Sequence, residues 1–253
     1  MISKKFIITD KNVEEYTKKI SKWIKNKVEN AKADGIVLGM SGGVDCSTVA
    51  RLCQEAGVKV HLVILPVGNN MKNSNTFNHA MDLINKFNFE YHIFDIKPTI
   101  DSLIIPTTEN SSRADMAIAN IRPRIRMTYL YEYAGLNNLL VIGTGNLSEA
   151  TAGYFTKWGD GAHDLNPIAN LTKREVYILA KYLQVPESII TAKPTADLWA
   201  GQTDEGEMGI TYNQIDDFIL NGTSGNVEID KKIQERNERN LHKLNPIPQF
   251  NDN

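Results

Sequence analysis

The 253-residue chain is predicted to be an α/β protein, a single Rossmann-like domain built on a doubly wound, mostly parallel sheet. Three observations predict it. Short apolar runs of strand length alternate with stretches whose apolar residues recur at helical spacing. The runs at Ile36 to Met40, Val58 to Val67 and Leu139 to Gly143 are nearly all apolar, as expected of strands covered on both faces. Two of them end in glycine turns followed by polar side chains, at the carboxyl edge where ligands bind in such sheets. The length suits one large domain spanning residues 1–253 in preference to two small ones.

The elements follow in order. Asp10 is placed to cap a helix with Val13, Tyr16, Ile20, Trp23, Ile24 and Val28 on one face. Ile36 to Met40 forms the first strand and Cys46 to Glu55 a helix that Gly57 ends. Val58 to Val67 is the second strand, Asn75 opens a helix through Phe87, and Glu90 to Ile96 is the third strand. Pro98 to Asn110 reads as irregular with a short helix, and Ser112 to Tyr133 as one helix. Leu139 to Gly143 is the fourth strand. Thr172 to Glu175 is a capping box that opens a helix through Leu183. The glycines and acids of Trp199 to Gly209 suit a mobile lid, and Tyr212 to Leu220 is helical. The basic tail from Asp230 to Lys243 reads as a solvated helix or as an arm for an anionic ligand.

Charge and cysteine content narrow the function. The net charge is −2, so no nucleic-acid or membrane surface is expected. Cys46 and Cys53 lie seven apart on one helix, about 10 Å between Cα atoms, too far for a disulfide. With no signal peptide and no membrane-spanning apolar run, a reducing cytoplasmic setting is expected.

The chemistry concentrates at Gly39-Met40-Ser41-Gly42-Gly43-Val44-Asp45-Cys46. A strand, a tight turn and a helix here present backbone N–H groups at a helix N-terminus, and two glycines let an oxyanion come close. There is no Gly-Lys-Ser/Thr ending, and an acid, Asp45, stands at the mouth instead. An acid beside polyphosphate implies a divalent cation between them, and Glu149, after the fourth strand, is placed to complete its shell. The other reading of Glu149 is a helix-start acid favoured by the dipole. Lys173 sits at a helix start against the dipole, which suggests that it reaches an anion.

Ser-Gly-Gly-x-Asp resembles the pyrophosphate loop of N-type ATP pyrophosphatases. Together with residues 143–149 (Gly-Thr-Gly-Asn-Leu-Ser-Glu), 155–161 (Phe-Thr-Lys-Trp-Gly-Asp-Gly), 171–174 (Leu-Thr-Lys-Arg), 193–198 (Lys-Pro-Thr-Ala-Asp-Leu) and 203–209 (Thr-Asp-Glu-Gly-Glu-Met-Gly), it resembles the NAD synthetase family over nearly the whole chain. That resemblance implies an adenine nucleotide alpha-hydrolase-like fold and an ATP-dependent amidation. The nicotinate carboxylate of deamido-NAD attacks the α phosphate of ATP, and ammonia then displaces AMP to give NAD. It implies Ser41, Gly42 and Gly43 on pyrophosphate, Asp45 and Glu149 on Mg²⁺, and Thr144, Lys173 and Thr195 on ATP. Arg124, Lys157, Asp164, His242 and Lys243 match positions that meet deamido-NAD, and Asp160 one that takes a proton from ammonium. Cys46 stands where the family loop has Ser, and Gly145-Asn146 where many bacterial members have Asp-His.

The resemblance also implies a homodimer with deamido-NAD where the subunits meet. Tyr129, Tyr131 and Tyr133 offer a contact surface, or alternatively intramolecular core. About 35 residues precede the first strand, too few for a glutaminase domain, so the expected nitrogen donor is free ammonia or ammonia from a separate chain. The rival readings are another ligase with this loop, such as GMP synthetase, and a non-catalytic ATP sensor.

Overall fold

The computed structural model describes residues 6–68, 74–103, 112–194 and 203–250. Four short strands, β1 (Gly35–Gly39), β2 (Val60–Ile64), β3 (Glu90–Ile93) and β4 (Leu139–Val141), form one sheet in the order β3-β2-β1-β4, every pair parallel. The chain winds outward from β1 to β3 and then returns to place β4 on the other side of β1. The sheet order therefore reverses between β1 and β4, where the loops leaving their carboxyl ends form a crevice.

Helices cover both faces. On one side α1 (Val13–Asn30), α2 (Val44–Glu55), α3 (Asn75–Phe87) and α8 (Lys173–Tyr182) pack on Ile36, Leu38, Leu62 and Ile64. On the other, Val37, Val63 and Val141 meet α4 (Lys97–Leu103) and α6 (Ile121–Asn137) through Ile100, Ile125 and Ala134. Alternate residues of β1 thus enter two different cores, which is why the run carries no polar alternation. A smaller cluster joins α7 (Leu147–Ala152), α10 (Asp204–Met208), α11 (Tyr212–Asn221) and α12 (Val227–Leu244) through Ala152, Met208, Ile215, Phe218 and Ile233. The remaining helices are α5 (Ser112–Ala119) and α9 (Glu187–Ile190).

Several expectations are corrected. Asp10 does not cap α1: Asn12 occupies the cap position, and its carboxamide accepts from Thr9 N at 2.7 Å instead of from the helix. The single helix expected over Ser112 to Tyr133 is two, interrupted at Asn120. Pro123 falls in the first turn of α6, where a missing N–H costs no helical bond. Thr203 to Gly209, read as part of a lid, is the capped helix α10. Thr203 Oγ1 accepts from Gly206 N, Gly209 ends the helix at φ +61°, and Met208 is core. The rest of the expected lid, up to residue 202, lies outside the described residues. Tyr129 and Tyr133 are tied inward, to Thr99 Oγ1 at 2.8 Å and His61 Nδ1 at 3.0 Å, and both pack on the α6-side core. Both are half-buried, so the core reading holds for the packed side of each, and Tyr131 between them stays exposed. Both cysteines are free and buried.

Candidate active site

Residues 40–43 carry the chain from β1 directly into α2, with Gly43 at the cap position (φ −81°, ψ 167°). Gly42 is the position that demands glycine: its φ is +84°, and a Cβ there would lie 2.0 Å from the Thr76 carbonyl oxygen at the start of α3. Gly43 is different, since a Cβ would meet only Ser41 Oγ, at 3.5 Å. Nothing in the packing requires glycine there, so its bareness is left for whatever approaches the exposed face of the loop. Beneath the loop the buried Cys46 thiol donates to Gly43 O at 3.2 Å and lies 3.3 Å from Ser41 Oγ. Its role here is to brace the turn.

The loop after β4 faces this one. Asn146 caps α7, accepting from Glu149 N at 3.0 Å, while Glu149 Oε2 accepts from Asn146 N at 3.1 Å. The helix-start reading of Glu149 therefore holds for one oxygen. The other, Oε1, turns to Lys173 Nζ at 3.2 Å, and that ammonium also donates to Asp45 Oδ2 at 2.5 Å. Two carboxylates that are 104 positions apart in the chain thus converge on one lysine.

The three groups are almost out of solvent, with the Lys173 side chain 3% exposed and each acid 17%. Burial pushes the Glu149 carboxyl up to about 7, against the pull of Lys173 and with a further push from Asp45. Burial also opposes charge on Lys173, but Asp45 and then Glu149 outweigh it and hold the ammonium above the usual lysine range. The misplacement of Lys173 for its helix dipole is thereby explained. The two acids form an all-oxygen donor set beside the phosphate loop, and that fits a hard divalent cation such as Mg²⁺.

These residues line a cavity of about 1170 Å³ that takes in Gly39, Met40, Ser41, Gly42, Gly43, Val44, Asp45, Cys46, Thr144, Glu149 and Lys173. Asp160 also lines it, exposed, with one oxygen accepting from Thr156 N at 2.9 Å. From α12, Arg236, Arg239 and Lys243 face the same space, so the anion-arm reading of the basic tail gains support over the solvated helix. Lys243 is half-buried and clamps the Phe155 loop, donating to Gly153 O and Phe155 O at 2.8 Å each. Arg124, Lys157, Asp164 and His242 are not among the lining residues. Arg124 Nε donates to Lys157 O at 3.4 Å, and Lys157 Nζ to His242 O at 2.5 Å. Both Asp164 oxygens are engaged, by Tyr131 OH at 3.1 Å and Val141 N at 2.8 Å. Thr195 lies outside the described residues.

Sequence reasoning passed over Asn146, Tyr212, Asp204, Ser148 and Asp216. Asn146 Nδ2 donates to Asp45 Oδ1 at 2.9 Å, so one side chain both caps α7 and fixes the opposing acid. Its signal was present, because Asn-Leu-Ser-Glu is a capping-box spacing. The Tyr212 ring lies 4.7 Å from Lys173 Nζ and its hydroxyl donates to Asp204 Oδ2 at 2.9 Å. Ser148 Oγ donates to Asp216 at 2.5 Å and accepts from Lys173 N at 2.9 Å, which seats the start of α8. No local pattern announces these last contacts.

A family model for NAD synthase matches residues 16–250. The chain belongs to the NAD synthase family. An NH₃-dependent NAD⁺ synthetase from Carboxydothermus hydrogenoformans is 42% identical over 236 residues, 92% of this chain and 95% of that protein. Among solved structures, an NMN synthetase from Francisella tularensis superposes with a TM-score of 0.87 at 38% identity, covering 94% of this chain and 98% of its own. The NH₃-dependent NAD synthetase of Campylobacter jejuni gives 0.77 at 32%, covering 95% and 99%. The parallel α/β sheet is the one expected of an NAD synthase, and the six motifs quoted above fall within the matched span.

Proposed function

We propose that this NAD synthase family member joins ammonia to the nicotinate carboxylate of deamido-NAD at the expense of ATP, through an acyl adenylate, releasing NAD, AMP and pyrophosphate. A carboxylate is a poor acyl donor because oxide would have to leave, and adenylation replaces oxide with AMP. One observation carries the reading: Asp45 and Glu149 meet on Lys173 at the mouth of a bare-glycine helix N-terminus.

The residues divide the work. Backbone N–H groups from Ser41 to Asp45 hold the β and γ phosphates, where charge grows as pyrophosphate departs. Asp45 and Glu149 would hold Mg²⁺, which when bound supplies charge neutralisation at the phosphate oxygens. Lys173, whose ammonium reaches both acids at the mouth of the loop, would also serve the phosphates. Thr144 and Thr195 complete the ATP site. Asp160, on the cavity lining, takes the proton that ammonium loses before attack. Arg124, Lys157, Asp164, His242 and Lys243 belong to the deamido-NAD side, completed in a homodimer. The setting is cytoplasmic and the nitrogen donor is ammonia, free or delivered by a separate glutaminase. Among the described residues no helix is long and apolar enough to cross a membrane.

A second reading is favoured by the higher TM-score of the NMN synthetase. Deamido-NAD and nicotinate mononucleotide present the same carboxylate on the same ribose phosphate, and the chemistry above applies to either. The test is an assay with ATP, Mg²⁺, ammonium and each acceptor in turn. Equal release of AMP and NAD, with higher kcat/KM for deamido-NAD, supports the first reading, and a preference for the mononucleotide supports the second. ATP bound but uncut with both overturns the ligase reading, and AMP formed only with xanthosine monophosphate points to GMP synthetase chemistry.

A further inference from the structure

The α6-facing side of the sheet carries a donor cluster that the reaction does not use. Parallel register pairs His61 of β2 with Glu90 of β3 and Val63 with His92, and residues two apart on a strand share a face. His61, Glu90 and His92 therefore stand together at the edge of the sheet, and none of them lines the cavity. One donor atom from each lies within 4.8 Å of the other two. Glu90 Oε1 is 3.6 Å from both His61 Nδ1 and His92 Nε2. That separation is too long for a hydrogen bond, yet close to the roughly 3.3 Å between donors arranged tetrahedrally around zinc.

The hydrogen bonding points the same way. His92 Nε2, the atom that faces Glu90, is shielded from solvent and has no hydrogen-bond partner, whereas the His61 nitrogen that faces Glu90, Nδ1, meets only the Tyr133 hydroxyl. Shielded ring nitrogens are ordinarily satisfied. Tyr133 OH, 3.0 Å from His61 Nδ1, adds an oxygen at the same spot. An ion has a way in, because β3 is an edge strand and the Glu90 and His92 side chains are 51% and 39% exposed, over a His61 side chain that is 4% exposed.

The geometry points to a metal site away from the ATP cavity, in which His61, Glu90 and His92 bind a borderline divalent transition ion of the zinc class. Two imidazoles and a carboxylate select such ions, whereas the all-oxygen pair Asp45 and Glu149 suits Mg²⁺. The bound ion would fasten the edge strand β3 to β2 and, through Tyr133, to α6.

The test uses the full chain in excess Mg²⁺, which occupies the oxygen site, titrated with ZnCl₂ by calorimetry and by thermal melting. One equivalent is expected to bind and to raise Tm progressively with concentration. His92→Ala and Glu90→Gln should each weaken zinc by at least roughly 10–100-fold, the loss seen when even outer-shell partners of a metal are removed. Both positions reach solvent, so the variants should fold, and if one does not the other decides. Asp45→Asn should leave zinc binding intact. Cobalt(II) should show the intense visible absorption of a tetrahedral nitrogen-ligated ion, lost in both cluster variants. No zinc binding over the Mg²⁺ background, or binding unchanged by both cluster variants, overturns the site.

Discussion

Lys173 Nζ lies 2.5 Å from Asp45 Oδ2 although the two residues are 128 apart in the chain. Neither would be tolerable alone where it stands, since a buried charge must be paired. The same ammonium reaches Glu149, so the chain carries its own cation at the place where two acids face the phosphate loop.

Lys173→Met separates the structural from the chemical role of that lysine. Without it, Asp45 and Glu149 face each other uncompensated, and breaking a buried pair costs about 3–5 kcal/mol. The variant should melt well below the parent in a chelator and recover much of the difference when Mg²⁺ is added. The parent should respond to Mg²⁺ far less. Turnover should stay low in both conditions, because the phosphates have lost their ammonium. Melting curves with and without Mg²⁺, run beside the AMP assay, check both statements.

Much of this site was legible in the sequence, and the reason is local. The cradle is one continuous stretch, Gly39 to Cys46, and the capping boxes at Asn146 and Thr172 are four-residue patterns, so short-range spacing locates each piece. The parallel sheet was legible because the runs of β1 and β4 are apolar without alternation and that of β2 nearly so, whereas β3, Glu90-Tyr91-His92-Ile93, alternates at the sheet edge. What the spacing does not carry is which distant pieces meet. Tyr212 under Lys173, Asp216 on Ser148 and the Arg236 to Lys243 face of α12 on the cavity are set by packing of the small α7–α11–α12 cluster. The lid reading of 203–209 failed because glycine and acid content suggest mobility, whereas Thr203 and Gly209 here cap the two ends of a helix anchored by Met208.

The two loop glycines should respond oppositely to alanine. Gly42→Ala puts a Cβ on a left-handed residue and against the Thr76 carbonyl, costing at least about 3 kcal/mol from backbone strain and overlap. Gly43→Ala meets nothing closer than 3.5 Å and sits at a φ open to any residue, so its cost to stability is about 1 kcal/mol or less. Its effect falls on the ligand: an added methyl at the exposed rim should weaken ATP at least about tenfold, 1.4 kcal/mol. Denaturant midpoints and ATP calorimetry on the two variants distinguish these outcomes.

The raised carboxyl of Glu149 gives the site a pH dependence. Its folded pKa of about 7 lies above the 4.5 of the unfolded chain, so between those values the folded state binds the extra proton. Metal-free stability from this group is fully present below about 4.5 and is lost as pH rises through about 7, on the order of 3 kcal/mol in all. Magnesium binding runs the other way, because the proton must leave Glu149 before its oxygen can ligate. Mg²⁺ affinity should fall about tenfold per pH unit below 7 and level off above it. Glu149→Gln should flatten both profiles, and a wild-type Mg²⁺ affinity that does not change between pH 6 and 8 would contradict the assignment.

Asn146 links the two loops, and its two jobs can be divided. Asn146→Ala removes the cap of α7 and the amide on Asp45 together, costing about 1 kcal/mol of stability from the cap alone. Asn146→Asp keeps an acceptor for Glu149 N, so the cap survives. It also replaces the donor at 2.9 Å from Asp45 Oδ1 with a second carboxylate oxygen. Two like charges in a site this dry repel, and Asp45 must turn away or take up a proton. Asn146→Asp should therefore melt closer to the parent than Asn146→Ala in saturating Mg²⁺, yet turn over at least about tenfold more slowly than the parent. That slowing should deepen as pH falls through the range where the crowded acids hold an extra proton. Rates that track the melting temperatures across the two variants would mean that Asn146 acts only as a helix cap. A rate loss in Asn146→Asp at parental stability would place it in the apparatus that aims Asp45.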